Sequence, residues 1–199
     1  MIVIFLIFLT FYLTFMLFSS IGFVRLLIKQ PDKSNQKFTF SIIVPFRNEE
    51  SRIDYLLDSL KHQCFDRVDN FLFINDHSID MSPQMINNWI NINDIHAKVL
   101  NLDNGFGKKK AIDFGIRSVK SEYVLIIDAD VSFSPDFINI FVETVTDKKD
   151  LYILPVIETK GFGLSVLESY MLNVITLGFA NFNSPILASG AGLLIKRSS

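Results

Sequence analysis

The chain has 199 residues, and its 19 lysines and arginines against 21 aspartates and glutamates give a formal net charge of -2. Such a balance argues against a nucleic-acid partner, because nucleic-acid binding needs sustained contact between basic side chains and phosphates. One cysteine, Cys64, excludes an internal disulfide framework and a cysteine-based zinc site, and it is compatible with a reducing cytosol.

The first 28 residues predict a transmembrane anchor. Residues Ile2 to Val24 carry no charged side chain, and a helix of this length rises about 34 Å, slightly more than the ~30 Å hydrocarbon layer. A cleaved signal peptide would need a basic start and a small-residue cleavage site, which this segment lacks. A buried core helix is the other alternative, but the run is too long and too uniformly apolar for one.

A cationic flank follows the predicted span. Arg25, Lys29, Lys33 and Lys37 come directly after it, and such a flank normally stays in the cytoplasm. We therefore expect a single-pass membrane protein with an anchor at 1–28, a tether at 29–37 and a soluble domain at 38–199 that faces the cytoplasm.

The soluble part alternates short apolar runs with amphipathic helical patterns, which is typical of a mostly parallel α/β sheet. Two helix starts are predicted where a serine precedes a proline, at Ser82 and Ser134. The predicted strands are Phe40 to Val44, Phe71 to Ile74, Ala97 to Leu100, Tyr123 to Ile127 and Leu151 to Leu154.

Polar residues follow three of these strands. Arg47 and Glu49 come after the first strand, Asp76 after the second, and Asp128 and Asp130 after the fourth. Ligands of open α/β sheets bind at the carboxyl ends of the strands, so these side chains are expected to meet at one edge of the sheet. A stable sheet does not by itself require these polar side chains to lie together at one edge.

Asp128 and Asp130 are the strongest candidate site residues. Paired carboxylates at the end of a buried strand suit a hard divalent cation, Mg²⁺ or Mn²⁺, whose other ligands are water and substrate phosphates. Such a cation neutralises the charge of a diphosphate leaving group. The alternative is a loop pair that caps the following helix.

Two further segments are less specific by themselves. Asn75-Asp76-His77-Ser78 could hold a base and a ribose, or could be an ordinary turn. The segment that begins at Gly107-Lys108 could bind phosphate at a helix start, or could be a solvated basic helix start. The three histidines show no ligand spacing, so solvent or core positions are expected for them.

Together these segments resemble the inverting family 2 glycosyltransferases, whose donor domain has the GT-A fold. The resemblance covers about 41–198. It is carried by four motifs in order: Ser41-Ile42-Ile43-Val44-Pro45-Phe46-Arg47-Asn48-Glu49-Glu50, Asn75-Asp76-His77-Ser78, Gly107-Lys108 through Ala111-Ile112-Asp113-Phe114-Gly115, and Asp128-Ala129-Asp130. The chain departs from the family pattern at Asn75, which replaces an acid, and at Asp113, which replaces an asparagine.

The resemblance implies roles for individual residues. Metal binding is implied for Asp130 and Asp128, and the acceptor side for the segment Gly190, Ala191 and Gly192. The residues implied in binding the nucleotide-diphosphate sugar are Pro45, Arg47, Glu49, Asp76, Lys108 and Asp128. The implied reaction moves the sugar of a UDP- or GDP-sugar to a lipid-linked or glycan acceptor at the membrane.

The general base is the one role that the resemblance leaves without a residue. In this family a carboxylate after the acceptor loop deprotonates the acceptor hydroxyl. No acidic residue follows Glu168, so the base is expected beyond Ser199 in a longer enzyme. The alternative function is a catalytically silent, membrane-anchored module that binds nucleotide sugar. The apolar segment 165–180 is either a membrane-surface helix or an ordinary packed helix.

Overall fold

The computed structural model describes residues 2–28, 39–145, 149–156, 163–181 and 192–197. Two compact units are present, one formed by Met1–Pro31 with Ile153–Ser189 and the other by Asp32–Tyr152 with Gly190–Ser199. The predicted tether 29–37 lies outside the described residues, and the predicted domain boundaries stay a prediction.

The structure contains six helices and six strands among the described residues. In chain order the elements are α1 (Ile2–Ile28), β1 (Phe40–Phe46), α2 (Ile53–Leu60), β2 (Val68–Asn75), α3 (Ser82–Asn93), β3 (Ala97–Asn101), α4 (Lys108–Arg117), β4 (Tyr123–Ile127), α5 (Phe137–Thr144), β5 (Leu151–Ile153), α6 (Leu164–Asn181) and β6 (Gly192–Lys196).

The larger unit is built on a six-stranded sheet with the order β3-β2-β1-β4-β6-β5. β1 pairs in parallel with β2 and β4, and β2 pairs in parallel with β3. The predicted α/β class with a mostly parallel sheet is therefore confirmed. β6 pairs antiparallel with β4 and was not predicted from the sequence. Its uninterrupted apolar run, Leu193-Leu194-Ile195, is shorter than the about four to eight residues that indicate a buried strand.

Apolar side chains cover both faces of the central strands. On β2, Phe71 and Phe73 stack on each other with ring centroids 4.8 Å apart, and Phe73 contacts the ring of Trp89 on α3 edge-on. Leu72 and Ile74 alternate with them and join a second buried cluster with Ala111 of α4, among others. β2 is thus buried on both faces, as expected for a central strand of a parallel sheet.

One glycine sets how closely α4 approaches the sheet. A Cβ atom at Gly115 would lie 2.7 Å from Cγ2 of Ile43 and 3.2 Å from Cγ1 of Ile74. Helix α4 packs at this distance because position 115 has no side chain. Its N-terminus carries Lys108, so this packing also positions one of the predicted site residues.

Of the two predicted helix starts, the one at Ser82 is confirmed in position but not as the capping residue, and the one at Ser134 is wrong. α3 begins at Ser82 itself with Met81 as its N-cap, and α5 begins at Phe137 with Asp136 as its N-cap. Gln63 explains the second difference: its side-chain oxygen accepts the Ile138 N–H at 3.0 Å and its amide donates to the Ser134 carbonyl at 2.7 Å. A long-range side chain therefore satisfies the helix start in place of the Ser134 hydroxyl.

The smaller unit contains α1 and α6 packed against each other. Ser19 is fully buried, and its hydroxyl donates to the Val174 carbonyl at 2.8 Å. The rings of Phe15 and Phe179 lie 5.1 Å apart, and a methyl group at Gly178 would overlap the Ser19 carbonyl oxygen. Small residues at the contact thus let the two backbones approach closely, as in helix pairs within membranes.

Among the described residues, α1 is the one helix whose length and composition suit a membrane span, over Ile2–Arg25. Most of its exposed side chains are apolar. On α6, Leu167 and Leu172 are also exposed, although the helix contacts α1 along its Val174–Phe179 side.

Candidate active site

A cleft of about 360 Å³ opens where β1, β2 and β4 end. Every donor-side and metal residue implied by the sequence resemblance contributes to its wall. The lining residues are Pro45, Phe46, Arg47, Glu49, Asp76, Gly107, Lys108, Asp128, Ala129 and Asp130. Segments far apart in the sequence thus meet at the carboxyl edge of the parallel strands, where α/β proteins bind ligands.

Each carboxylate of the acidic pair contacts one cation of the protein. The Lys108 ammonium nitrogen lies 2.5 Å from Oδ1 of Asp128, a buried oxygen with no other hydrogen-bonding partner among the described residues. Arg52 donates from Nη1 to Oδ2 of Asp130 at 3.2 Å. Asp128 is the more buried of the two, with a side-chain exposure of 23% against 42%.

The donor set fits a divalent cation that binds together with a diphosphate. In the described parts of the chain, no group of three or more histidine, cysteine, aspartate and glutamate side chains could enclose a metal. Asp128 and Asp130 supply carboxylate oxygens in one cleft, and Mg²⁺ is usually bound by one or two carboxylates with water and substrate phosphates. A cation held by the protein alone does not fit these residues.

Asp76 is buried and fixed by neighbours on several sides. Its Oδ2 accepts the Gly107 N–H at 2.8 Å and lies 3.8 Å from Nη1 of Arg47. Its Oδ1 lies 3.1 Å from Nδ1 of His77, whose ring packs on Phe106 with centroids 4.5 Å apart. Gly107 has φ +97°, a conformation that favours glycine, so this residue type lets the start of α4 donate to Asp76.

The loop after β1 is hydrogen-bonded to the loop after β2 at successive residues. Two backbone N–H groups of the second loop donate back to side chains of the first. Together these contacts hold the segment that contains Arg47 and Glu49 against the cleft. The bonds are Asn48 N–H to Ser78 Oγ, Glu49 N–H to Ser82 Oγ, Glu50 N–H to Asp80 Oδ2, Ile79 N–H to Asn48 Oδ1 and Met81 N–H to Glu50 Oε2, at 2.8 to 3.1 Å.

Asp80 and Glu50 are the acidic acceptors of this loop contact, and the pKa of Asp80 is shifted. Burial acts to raise the pKa of its carboxyl, but hydrogen bonds from the Ser82 side chain and from backbone N–H groups outweigh it, and the pKa is lowered. Asp80 therefore remains ionised and continues to accept these bonds at neutral pH.

Glu49 shares Arg52 with Asp130. Nη2 of Arg52 lies 2.8 Å from Oε2 of Glu49. Burial raises the pKa of Glu49, Arg52 opposes this shift, and the negative charge of Asp130 adds to it. Sequence reasoning did not identify Arg52, although its position three residues after Glu49, at the start of a helix, was a signal that it could reach the same edge.

The acceptor-side prediction is only partly within the described residues. Gly190 and Ala191 lie outside them, whereas Gly192 is buried and begins β6 opposite Ile127, the residue before Asp128.

Asn75, which replaces an acid of the family pattern, donates to Asn101 Oδ1 at 2.9 Å and accepts the Ser78 N–H at 2.9 Å. Its amide thus uses both functional groups to connect neighbouring segments.

The family model described as Glycosyl transferase family 2 matches residues 41–188. The chain belongs to glycosyltransferase family 2. This confirms the predicted family and, with it, the assignment to a class of transferases. The roles predicted for individual cleft residues remain proposals.

Curated relatives of this family 2 chain include two bacterial proteins. The putative glycosyltransferase EpsH of Bacillus subtilis (strain 168) is 31% identical over 114 residues, which are 57% of this chain and 32% of that protein. The undecaprenyl-phosphate 4-deoxy-4-formamido-L-arabinose transferase of Proteus mirabilis (strain HI4320) is 27% identical over 113 residues, 56% of this chain and 35% of that protein. The matched segment therefore spans about a third of each relative.

Solved structures confirm the GT-A fold. The mannosyltransferase PcManGT from Pyrobaculum calidifontis, in complex with GDP-Man and Mn²⁺, has a TM-score of 0.70 at 20% identity, over 93% of this chain and 53% of that one. S. aureus TarS 1-349 in complex with UDP-GlcNAc has a TM-score of 0.51 at 25% identity, over 64% of this chain and 37% of that one.

Proposed function

We propose that this family 2 protein moves a sugar from a UDP- or GDP-sugar, with a divalent cation and inversion at the anomeric carbon, to a lipid-linked or glycan acceptor at the cytoplasmic face of a membrane. The observation that carries the proposal is the cleft at the ends of β1, β2 and β4. It brings together side chains from four segments of the chain: the carboxylates of Asp128 and Asp130, the buried carboxylate of Asp76, and the cationic groups of Arg47 and Lys108.

Each side chain has a task in this proposal. Asp76 accepts from the nucleobase, and its fixed position makes that contact selective. Asp128 and Asp130 hold Mg²⁺ or Mn²⁺, which when bound neutralises charge on the diphosphate leaving group. Lys108 and Arg47 lie on the cleft wall, where their cationic groups can contact phosphate oxygens.

The acceptor side of the proposal rests on the position of Gly192 and on a relative. Gly192 pairs with Ile127, so β6 begins beside the residue that precedes Asp128. A lipid-linked acceptor is supported by the Proteus mirabilis relative, whose name specifies undecaprenyl phosphate. The acceptor would then approach the cleft from the side on which β6 begins.

The helix pair supports a membrane location for this reaction. α1 and α6 run antiparallel, since Ser19 contacts Val174 while Phe15 contacts Phe179. Arg25 follows Ser19 by six residues and Glu168 precedes Val174 by six, so both charges lie about 9 Å from the contact along the helix axes. We infer that the two charges mark one membrane surface and that the Val174–Phe179 part of α6 enters the lipid beside α1.

Donor binding is tested by titration calorimetry on the full chain in detergent. UDP-sugar and GDP-sugar are titrated with Mn²⁺ and with EDTA, into the wild type and an Asp130→Ala variant. The proposal predicts that one donor binds with Mn²⁺ and that the affinity falls at least tenfold with EDTA or in the variant. Equal affinity with Mn²⁺ and with EDTA would contradict the predicted metal dependence.

The membrane location is tested with a fluorescent label in nanodiscs. Leu172→Cys in a Cys64→Ser background is labelled with an environment-sensitive dye, and Tyr55→Cys, an exposed position on α2, is the matched control. We expect spin-labelled lipids to quench the label at 172 and aqueous iodide to quench the label at 55. Iodide quenching at both positions would place α6 in water.

A further inference from the structure

Arg52 contacts one of the two carboxylate oxygens that Asp130 could offer to a metal. Its guanidinium extends from one nitrogen to Asp130 Oδ2 at 3.2 Å and from the other to Glu49 Oε2 at 2.8 Å. The side chain of Arg52 is half exposed, so it is free to move without disturbing the core. Glu49 is more enclosed, with a side-chain exposure of 17%.

A guanidinium and a divalent cation cannot share this carboxylate at low cost. Both are positive, and their repulsion at a few ångströms is strong in a partly enclosed cleft. Arg52 keeps the shorter of its two contacts, to Glu49, if it releases Asp130. Glu49 therefore offers Arg52 a carboxylate partner other than Asp130.

We propose that Arg52 is an internal counter-cation that neutralises Asp130 before the metal arrives and moves fully onto Glu49 when the metal binds. Arg52 and Glu49 are positioning residues in this scheme, because they act through Asp130 and set how readily it accepts a cation. The inference rests on the proposed metal-dependent function and adds two residues that control it.

The test measures Mn²⁺ binding by electron paramagnetic resonance of free Mn²⁺, on the full chain in detergent, with a fixed concentration of UDP or, separately, of GDP in every sample to supply the phosphate ligands. The proteins are the wild type, Arg52→Met, Glu49→Gln and the double variant. Arg52→Met removes the competitor, so we expect Mn²⁺ affinity to rise on the order of three- to tenfold. Glu49→Gln leaves Arg52 only Asp130 as a partner, so the affinity should fall by a similar factor.

The double variant distinguishes two explanations of the Glu49→Gln effect: movement of Arg52 between Asp130 and Glu49, and long-range attraction of the metal by the Glu49 charge. If Arg52 competes through its choice between two carboxylates, Glu49→Gln should weaken Mn²⁺ binding much less when Arg52 is already absent. If Glu49 only attracts the metal at long range, its loss should matter at least as much in that background. An effect of Glu49→Gln that is equal or larger without Arg52 therefore overturns the proposal.

Two controls keep this failure distinct from failure of the proposed function. Arg117→Met removes the same charge from an exposed pair with Asp113 and should leave Mn²⁺ affinity within about twofold. Asp130→Asn should abolish the binding. Binding that is lost in Asp130→Asn but unchanged in Arg52→Met overturns only the role of Arg52, whereas absence of Mn²⁺ binding in the wild type and Arg52→Met alike overturns both proposals.

Discussion

Two fully buried serines show how differently the two compact units are held together. In the sheet unit, Ser41 contacts the Ser121 hydroxyl at 2.7 Å and accepts from Asn70 at 3.1 Å, within a network of polar side chains. In the helix pair, Ser19 donates to a single backbone carbonyl, that of Val174. The sheet unit combines large apolar side chains with cross-strand polar networks, whereas the helix pair depends on close backbone approach at small residues.

The largest expected effect comes from the aromatic core of the sheet unit. Phe73→Ala removes a ring that is fully buried between Phe71 and Trp89. We expect the free energy of unfolding to fall by about 3–5 kcal/mol, because the buried apolar surface of the ring is lost and a cavity remains in its place. Urea denaturation followed by the fluorescence of Trp89, the single tryptophan, measures it directly.

A matched phenylalanine provides the control for this substitution. Phe106 is 69% exposed and contacts the ring of His77. Phe106→Ala should change the free energy of unfolding by no more than about 0.5 kcal/mol. If the two variants had similar stability, the aromatic cluster would not be the main support of this unit.

The sheet unit shows which parts of the molecule could be predicted from the sequence. β1 and β4 are mostly apolar runs followed by polar residues, so their existence followed from the α/β pattern, as did the clustering of Arg47 and Asp128 at their ends with Asp76 at the end of β2. β6 and the use of Gln63 to cap α5 depend on contacts between distant segments. No local pattern carries that information. The spacing of Arg52 from Glu49 indicates which edge of the sheet Arg52 can reach, but not that it pairs with Asp130.

A second substitution tests whether close backbone approach holds the helix pair. Gly178→Ala would place a methyl group against the Ser19 carbonyl oxygen, and a backbone atom in a helix cannot move aside alone. We expect α1 and α6 to separate at a cost of about 1–3 kcal/mol. Disulfide formation between Phe18→Cys and Phe179→Cys, whose rings lie 5.4 Å apart, should become much slower in a Cys64→Ser background.

The control for the helix pair is an exposed position on α6. Leu172→Ala changes an exposed position, so crosslinking between positions 18 and 179 should proceed at the wild-type rate. Equal crosslinking rates in Gly178→Ala and Leu172→Ala would show that the helices do not need a glycine at their contact.

The smallest of these effects is expected at Ser19, and its difference from the effect at the other buried serine, Ser41, sharpens the comparison. Ser41→Ala leaves the Asn70 amide and the Ser121 hydroxyl without this partner, which should cost about 1–3 kcal/mol. Ser19→Ala removes one bond to a helical carbonyl, and such bonds contribute about 0.6 kcal/mol on average between helices in membranes. The first is measured by urea denaturation and the second by the crosslinking rate between positions 18 and 179. A Ser19→Ala effect as large as that of Gly178→Ala would mean that the hydroxyl, and not backbone approach, holds α6 against α1.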